Sequence, residues 1–355
     1  MKATDLPPFP DDVPTHPLLV IDYALIEQRD PEEIERLWTA ATKLGFWYLK
    51  NHGVDEDVRE MFDMGTETMA LPMAEKMKFE QGNEGISFGY KAAGTCAIDA
   101  AGTVDTAQFI NVAKDDALAW PAQAHRAYPS AVNARMTCTI KPFVEKSLAI
   151  NNTLLDVLND KLGLPKGTLA RLHPREDYSG SETRVLYSPP IVGRQVLSAH
   201  TDFGSLSLLY NRLGGLQVLV PGAESWQYVK PIPGHAICNL GDAMSILSAG
   251  ILRSNLHRVV NPPGLQGTHY RFSLVYFMRP ANSVVLRALA DSSPLIADAV
   301  AHAPDPTMYE TGATAIEWFT RRVKMIRVAN YKNPETWLAT SRGTEQIDLA
   351  TQIAA

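Results

Sequence analysis

From about residue 184 the chain breaks into short β-branched or alternating runs separated by turn residues, and nothing else in it constrains the fold so tightly. The runs are "RVLYS", "RQVLSAHTDF", "SLSLLYN", "LQVLVP", "WQYVKPI", "HAICNL", "LRSNLHRVVN" and "YRFSLVYFMRP". Eight of them at close spacing predict an antiparallel sandwich or barrel rather than a parallel α/β sheet. Within them "RLGGLQ" reads as a Gly-Gly hairpin turn.

The first half reads differently. Residues 1–17 are proline-rich and should run extended over the surface. "LLVIDY" and "FWYLKNHGV" read as short strands. Between them Ile34, Leu37, Trp38, Ala41 and Leu44 recur at helical spacing after Pro31, with Gly45 where a C-cap glycine belongs. Helical patterns return at 55–71, at 131–162 and at 314–327. "GISFGYKAAGTCAIDAAGTVDTAQFINV" predicts an irregular loop layer.

Composition removes several functional classes. Hydrophobic residues at 45% and charged ones at 20% describe a globular chain, and a net charge of -6 implies no phosphate backbone or anionic membrane. There is no basic start followed by an apolar block and no membrane-length apolar run, so a soluble cytoplasmic protein is expected. Cys96, Cys138 and Cys238 show no CxxC spacing and read as buried, inert thiols. Arg321, Arg322, Lys324 and Arg327 read as a solvated helix face, and Asp242 as a turn residue. No phosphate loop, GxSxG elbow or catalytic carboxylate pair stands out.

The polar residues inside the β runs carry more information. His200 and Asp202 in "LSAHTDF" are spaced so that, on a strand, both face one side and can share one ligand. His257 in "LHRVV" offers a third donor, and His235 in "HAICNL" competes with it. Two imidazoles and a carboxylate on one face suit non-haem Fe(II). Fourteen residues after His257, Arg271 begins "RFSLVYFM", where Ser273, Val275 and Phe277 share its face. A buried arginine needs a partner, and a carboxylate from outside the chain would supply a bidentate one.

The order H-x-D, about fifty residues, H, then R-x-S resembles the 2-oxoglutarate- and Fe(II)-dependent oxygenases. The likeness is to the branch that holds isopenicillin N synthase and the plant and fungal small-molecule oxygenases. "LGFWYLKNHGV", "LPMAEKMKF" and "CNLGDAMSILSAGILRSNLHRVV" extend it along nearly the whole chain. The resemblance implies a mainly β fold with flanking helices around a double-stranded β-helix (jelly roll). It makes His200, Asp202 and His257 the iron ligands, and Arg271 and Ser273 the holders of the 2-oxoglutarate distal carboxylate. Many members carry Arg-x-x-x-Tyr-Pro ahead of the first ligand. Here "RVLYSPP" puts Ser188 at the tyrosine position, so Ser188 or water is expected to take that contact.

The expected organisation is a mostly helical region at 1–180, a catalytic core at 181–285 and a helical lid at 286–355, forming one structural unit. Phe109, Asn111, Phe277 and Trp318 are candidate substrate contacts. The expected activity is oxidation of a C–H bond in a small, largely apolar molecule, with O2 consumed and succinate and CO2 released. Neither nucleic acid nor membrane is an expected partner, and the sequence assigns no oligomeric state. The rival readings are an oxidase of the same fold that uses no 2-oxoglutarate, a non-catalytic jelly-roll binding module, and a zinc hydrolase.

Overall fold

Fourteen strands order the molecule in a computed structural model that describes residues 6–191, 195–223, 225–335, 337, 343 and 344. Four come from the first third of the chain: β1 (Val20–Asp22), β2 (Phe46–Lys50), β3 (Gly89–Lys91) and β4 (Gln108–Ala113). The next four are β5 (Glu182–Ser188), β6 (Gln195–His200), β7 (Leu206–Asn211) and β8 (Leu216–Leu219). They are followed by β9 (Trp226–Tyr228), β10 (His235–Leu240), β11 (His257–Val260) and β12 (Arg271–Met278), and the short pair β13 (Val285–Arg287) and β14 (Glu310–Thr314) closes the series.

The larger sheet runs β1-β2-β10-β7-β12-β5-β4-β3 and the smaller one β6-β11-β8-β9. Among the described strands, only β1 and β2 pair in parallel with each other. The sheets face each other: Phe46 and Tyr48 of β2 and Ile237 of β10 pack on Leu216 and Val218 of β8. Farther along, Phe109 and Leu186 meet Val196 and Val259. This is the jelly-roll arrangement that the strand pattern predicts.

The other face of the larger sheet is covered by helices Pro31–Lys43, Asp55–Ala70 and Lys141–Lys161. Strand alternation explains how one strand serves both sides. In β2, Phe46 and Tyr48 face the smaller sheet while Trp47 and Leu49 join the helical core. In β12, Leu274, Tyr276 and Met278 face the helices, leaving Arg271, Ser273, Val275 and Phe277 on the inner side. Gly45 ends helix Pro31–Lys43 at φ +75, where a Cβ would lie 2.0 Å from Arg253 O, so only glycine fits.

Four expectations change, the last of them the burial of Cys138. The glycine- and alanine-rich stretch is not all loop, because β3 and β4 extend the larger sheet beside β5. "RLGGLQ" does not close a hairpin: it carries the chain from β7 in one sheet to β8 in the other. Gly215 makes that crossing at φ +105, where a Cβ would lie 2.5 Å from Val260 O. The helix expected at 131–162 is interrupted by a π turn at Met136–Ile140, beside Pro142, which has no N–H to return to the preceding turn. Of the thiols, Cys96 and Cys238 are buried and Cys138 is exposed. Among the described residues no helix is long and apolar enough to cross a membrane.

Leu274 is fully buried where β12 meets the helical layer. Leu274→Ala should lower unfolding free energy by about 2–5 kcal/mol in chemical denaturation, through lost apolar burial and the cavity left behind. A loss under about 1 kcal/mol would show that this layer is not a packed core.

Candidate metal centre and active site

β6 and β11 are antiparallel neighbours in the smaller sheet, and their register sets His257 directly across from His200. The two rings lie 4.3 Å apart between centroids. Asp202 follows just past the end of β6. Its Oδ1 is 3.9 Å from His200 Nε2 and 3.8 Å from His257 Nε2. One ligand atom from each of the three lies within 4.8 Å of the others, the spacing of a shared metal ion, and no other such group occurs among the described residues.

Neighbouring groups aim these atoms. His200 Nδ1 lies 2.6 Å from Ser198 O and His257 Nδ1 lies 3.1 Å from Asn255 O. In both rings the proton on Nδ1 is thereby used, leaving the Nε2 lone pair directed at the common point. Ser207 Oγ and Asn239 Nδ2 each donate to Asp202 Oδ2 at 2.7 Å, leaving Oδ1 toward the imidazoles. Ser207 and Asn239 are themselves cross-strand partners on β7 and β10. Burial, with His257 adding to it, pushes the His200 pKa down to about 3, so the ring is neutral at physiological pH. Burial alone would raise the Asp202 pKa; the two histidines and the two hydrogen bonds outweigh it and hold the carboxyl below its usual range. Two imidazoles and one carboxylate form a donor set for a divalent ion. His235 stands apart at the start of β10, its Nδ1 3.0 Å from Pro233 O.

Arg271 and Ser273 line the same cavity as the three residues above. The Arg271 side chain is nearly sealed at 2% exposure. It donates from Nε to Gly214 O at 2.7 Å and from Nη1 to Ser273 Oγ at 3.1 Å. Burial lowers its pKa to about 10, so it remains a cation at neutral pH. No carboxylate lies within ion-pair range among the described residues. Ser188 is the direct cross-strand partner of Arg271, and its buried Oγ has no hydrogen-bond partner among the described residues. A buried cation without an anion, beside a buried hydroxyl without a partner, fits the far carboxylate of 2-oxoglutarate.

A second cavity adjoins the first and shares His200, Leu197, Phe203 and Arg184 with it. Of the four substrate candidates, Phe109 lines this second cavity and Phe277 the first. Asn111 lies behind the wall, donating to Ser87 O and accepting from Arg184 Nε at 2.9 Å. Trp318 packs with Ala243, Ile246 and Leu286, away from both cavities.

Three residues at or behind this wall depart from the sequence reading. Arg322 is not solvated: it is fully buried and pairs with Asp242, which is itself fully buried rather than a surface turn residue. Arg322 Nη2 also donates to Thr201 O at 3.2 Å, and Asp242 N to Asp202 O at 2.8 Å. The pair thus ties helix Ala315–Met325 to the loop that carries Asp202. Arg327 is likewise buried, against Gln81.

Facing sheets, an imidazole–carboxylate triad and a buried arginine with no carboxylate beside it among the described residues are the features of a non-haem iron oxygenase. Comparison with known proteins agrees. Residues 18–131 match the family described as non-haem dioxygenase in morphine synthesis N-terminal, and residues 179–280 match the 2OG-Fe(II) oxygenase superfamily. The 2-oxoglutarate-dependent dioxygenase FG08081 of Gibberella zeae is 27% identical over 337 residues, 92% of each chain. The 2-oxoglutarate-dependent dioxygenase iboH of Amanita muscaria is 38% identical over 146 residues, 40% of this chain and 71% of that protein. The crystal structure of a full-length Neurospora crassa protein in complex with alpha-KG (2-oxoglutarate) and 5-formyluracil superposes with a TM-score of 0.69 at 22% identity, covering 89% of this chain and 97% of that one. The chain belongs to the 2OG-Fe(II) oxygenase superfamily and is a dioxygenase that uses iron, 2-oxoglutarate and O2.

The buried pair behind the site gives a stability prediction. Arg322→Met should cost about 3–5 kcal/mol in urea denaturation, because Asp242 stays behind as a buried charge. Asp242→Leu in the same chain should recover much of that loss. Equal destabilisation by the single and double variants would refute the pairing.

Proposed function

We propose that His200, Asp202 and His257 hold Fe(II), and that Arg271 and Ser273, with Ser188 beside them, hold the distal carboxylate of 2-oxoglutarate. The substrate is a small organic molecule that loses hydrogen from a C–H bond, by hydroxylation or by desaturation or rearrangement. Resemblance to the plant and fungal small-molecule oxygenases implies a role in secondary metabolism. The observation that carries this reading is the sealed Arg271 cation without a carboxylate among the described residues, facing the triad across one cavity.

Iron, when bound, supplies O2 activation coupled to decarboxylation of 2-oxoglutarate to succinate and CO2. The chain supplies the rest. His200 and His257 present lone pairs fixed by Ser198 O and Asn255 O. Asp202 contributes the negative charge that keeps a divalent ion in a mostly apolar cavity. Arg271 sets the direction of the cosubstrate by a planar fork. Leu186, Leu209 and Val275 line the space between and exclude water.

His257→Ala should abolish Fe(II) binding in anaerobic metal titration and stop succinate formation, whereas His235→Ala should leave both intact. The reverse pattern would move the metal elsewhere. Arg271→Ala should weaken 2-oxoglutarate binding to the anaerobic Fe(II) protein by roughly 30-fold to several thousand-fold, the loss expected for a desolvated ion pair. Arg271→Lys should recover only part of it. Wild-type protein that binds no 2-oxoglutarate yet consumes O2 with an acidic substrate alone would overturn the assignment of Arg271.

A further inference from the structure

The charges around the second cavity are matched almost everywhere. Lys91 pairs with Asp105, Arg322 with Asp242, and Arg327 with Glu80 at 3.6 Å. The exception is on β5. Arg184 Nη2 reaches Glu182 Oε1 at 3.0 Å, and Arg279 Nη2 reaches the same oxygen at 3.3 Å. Ser87 Oγ adds a third bond to that oxygen at 3.0 Å, while Glu182 Oε2 is buried without a partner among the described residues. One carboxylate thus serves two guanidinium groups and leaves one positive charge over.

Arg184 is placed to use it. Its guanidinium lies between two rings, 4.2 Å from the Phe109 centroid and 4.9 Å from that of Phe277. With two rings this close, the edge of the fork is the part left for a new partner. Nε is taken by Asn111 Oδ1 and Nη2 by Glu182, but Nη1 has no hydrogen bond among the described residues. The side chain keeps 19% exposure and lines both cavities, beside His200. Ile98, Leu197, Phe203, Val323 and Ile326 give the second cavity an apolar side next to these paired charges.

We propose that Arg184 determines specificity by binding a carboxylate on the primary substrate, which is therefore an organic acid with an apolar skeleton. The proposal deepens the oxygenase reading and rests on it for the position of the oxidised C–H bond. The carboxylate meets the free edge of Arg184, the apolar body fills the second cavity, and Asn111 with the two rings holds the fork in place. Arg271 is a separate cation, engaged by the cosubstrate.

The test uses anaerobic Fe(II) protein saturated with 2-oxoglutarate, so that added acids cannot occupy the Arg271 site. Phenylacetate, 3-phenylpropanoate, cinnamate and 1-naphthylacetate are titrated against their primary amides, following perturbation of the Fe(II)–2-oxoglutarate absorption band and heat by calorimetry. At least one acid should bind about 30-fold or more tightly than its own amide. Arg184→Gln should erase that preference while leaving the band and the 2-oxoglutarate affinity in place, and Arg184→Lys should keep part of it. Acids and amides that bind alike, no binding by any of the four acids, or an undiminished preference in Arg184→Gln would each overturn the proposal. Should Arg184→Gln fail to fold, the wild-type ratio and Arg184→Lys decide. A wild-type protein without the band fails the oxygenase reading instead. Calorimetry on the metal-free protein then still judges Arg184, by whether acid preference is lost in Arg184→Gln and kept in Arg271→Ala.

Discussion

The strands at the centre of the larger sheet have no solvent face, and this double burial governs the molecule. β12 turns Leu274, Tyr276 and Met278 to the helical layer and Arg271, Ser273, Val275 and Phe277 to the cavity. A slip of one residue would push the guanidinium into packed helices and a leucine into the metal chamber. The apolar layer therefore holds β12 in one register, and that register aims the cation. The same logic sets Ser207 and Asn239 side by side, because β7 and β10 are each locked by their helix-facing residues.

The charged residues at depth include ion pairs closed within the chain and, in Arg271, a cation with no carboxylate beside it among the described residues. Lys91 with Asp105 and Arg322 with Asp242 are nearly or fully inaccessible to solvent. Buried pairs of this kind add little net stability, since desolvation cancels most of the attraction, but they penalise any arrangement that separates them. Their effect here is positional: they fix the walls around the triad. Arg271 has no such partner among the described residues, and its cavity is where an anion from outside fits.

How much of this was visible beforehand follows from the range of each signal. That His200, Arg271 and Ser273 would share one cavity was legible because period two in a strand is local and needs no knowledge of neighbours, whereas Asp202 joins them from just past the end of β6. His257 needed the resemblance to prevail over His235, which has the same strand-like setting. Asp242 and Arg322 were misread because they lie 80 residues apart, and a charge whose partner is that distant looks like a solvated one. "RLGGLQ" showed its turn chemistry but not that β8 joins the other sheet. β3 and β4 were hidden by flanking glycine and alanine, although "QFINVA" is largely buried. Arg184 was quoted only as part of a pattern, since nothing local reveals that two rings would sandwich it.

The bond between Arg322 and Asp242 also bears on how such proteins can be recombined. Helix Ala315–Met325 walls the second cavity through Arg322 and Val323, which makes it an obvious segment to exchange with a relative in search of a new specificity. Its arginine, however, is keyed to an aspartate that precedes it by 80 residues and whose own N–H holds the loop of Asp202. A crossover placed between the two positions would strand one charge in the interior unless the donor carried the matching partner. The unit of exchange is thus the whole stretch from Asp242 to the C-terminal helix, and specificity in this fold travels with part of the metal centre's own scaffold.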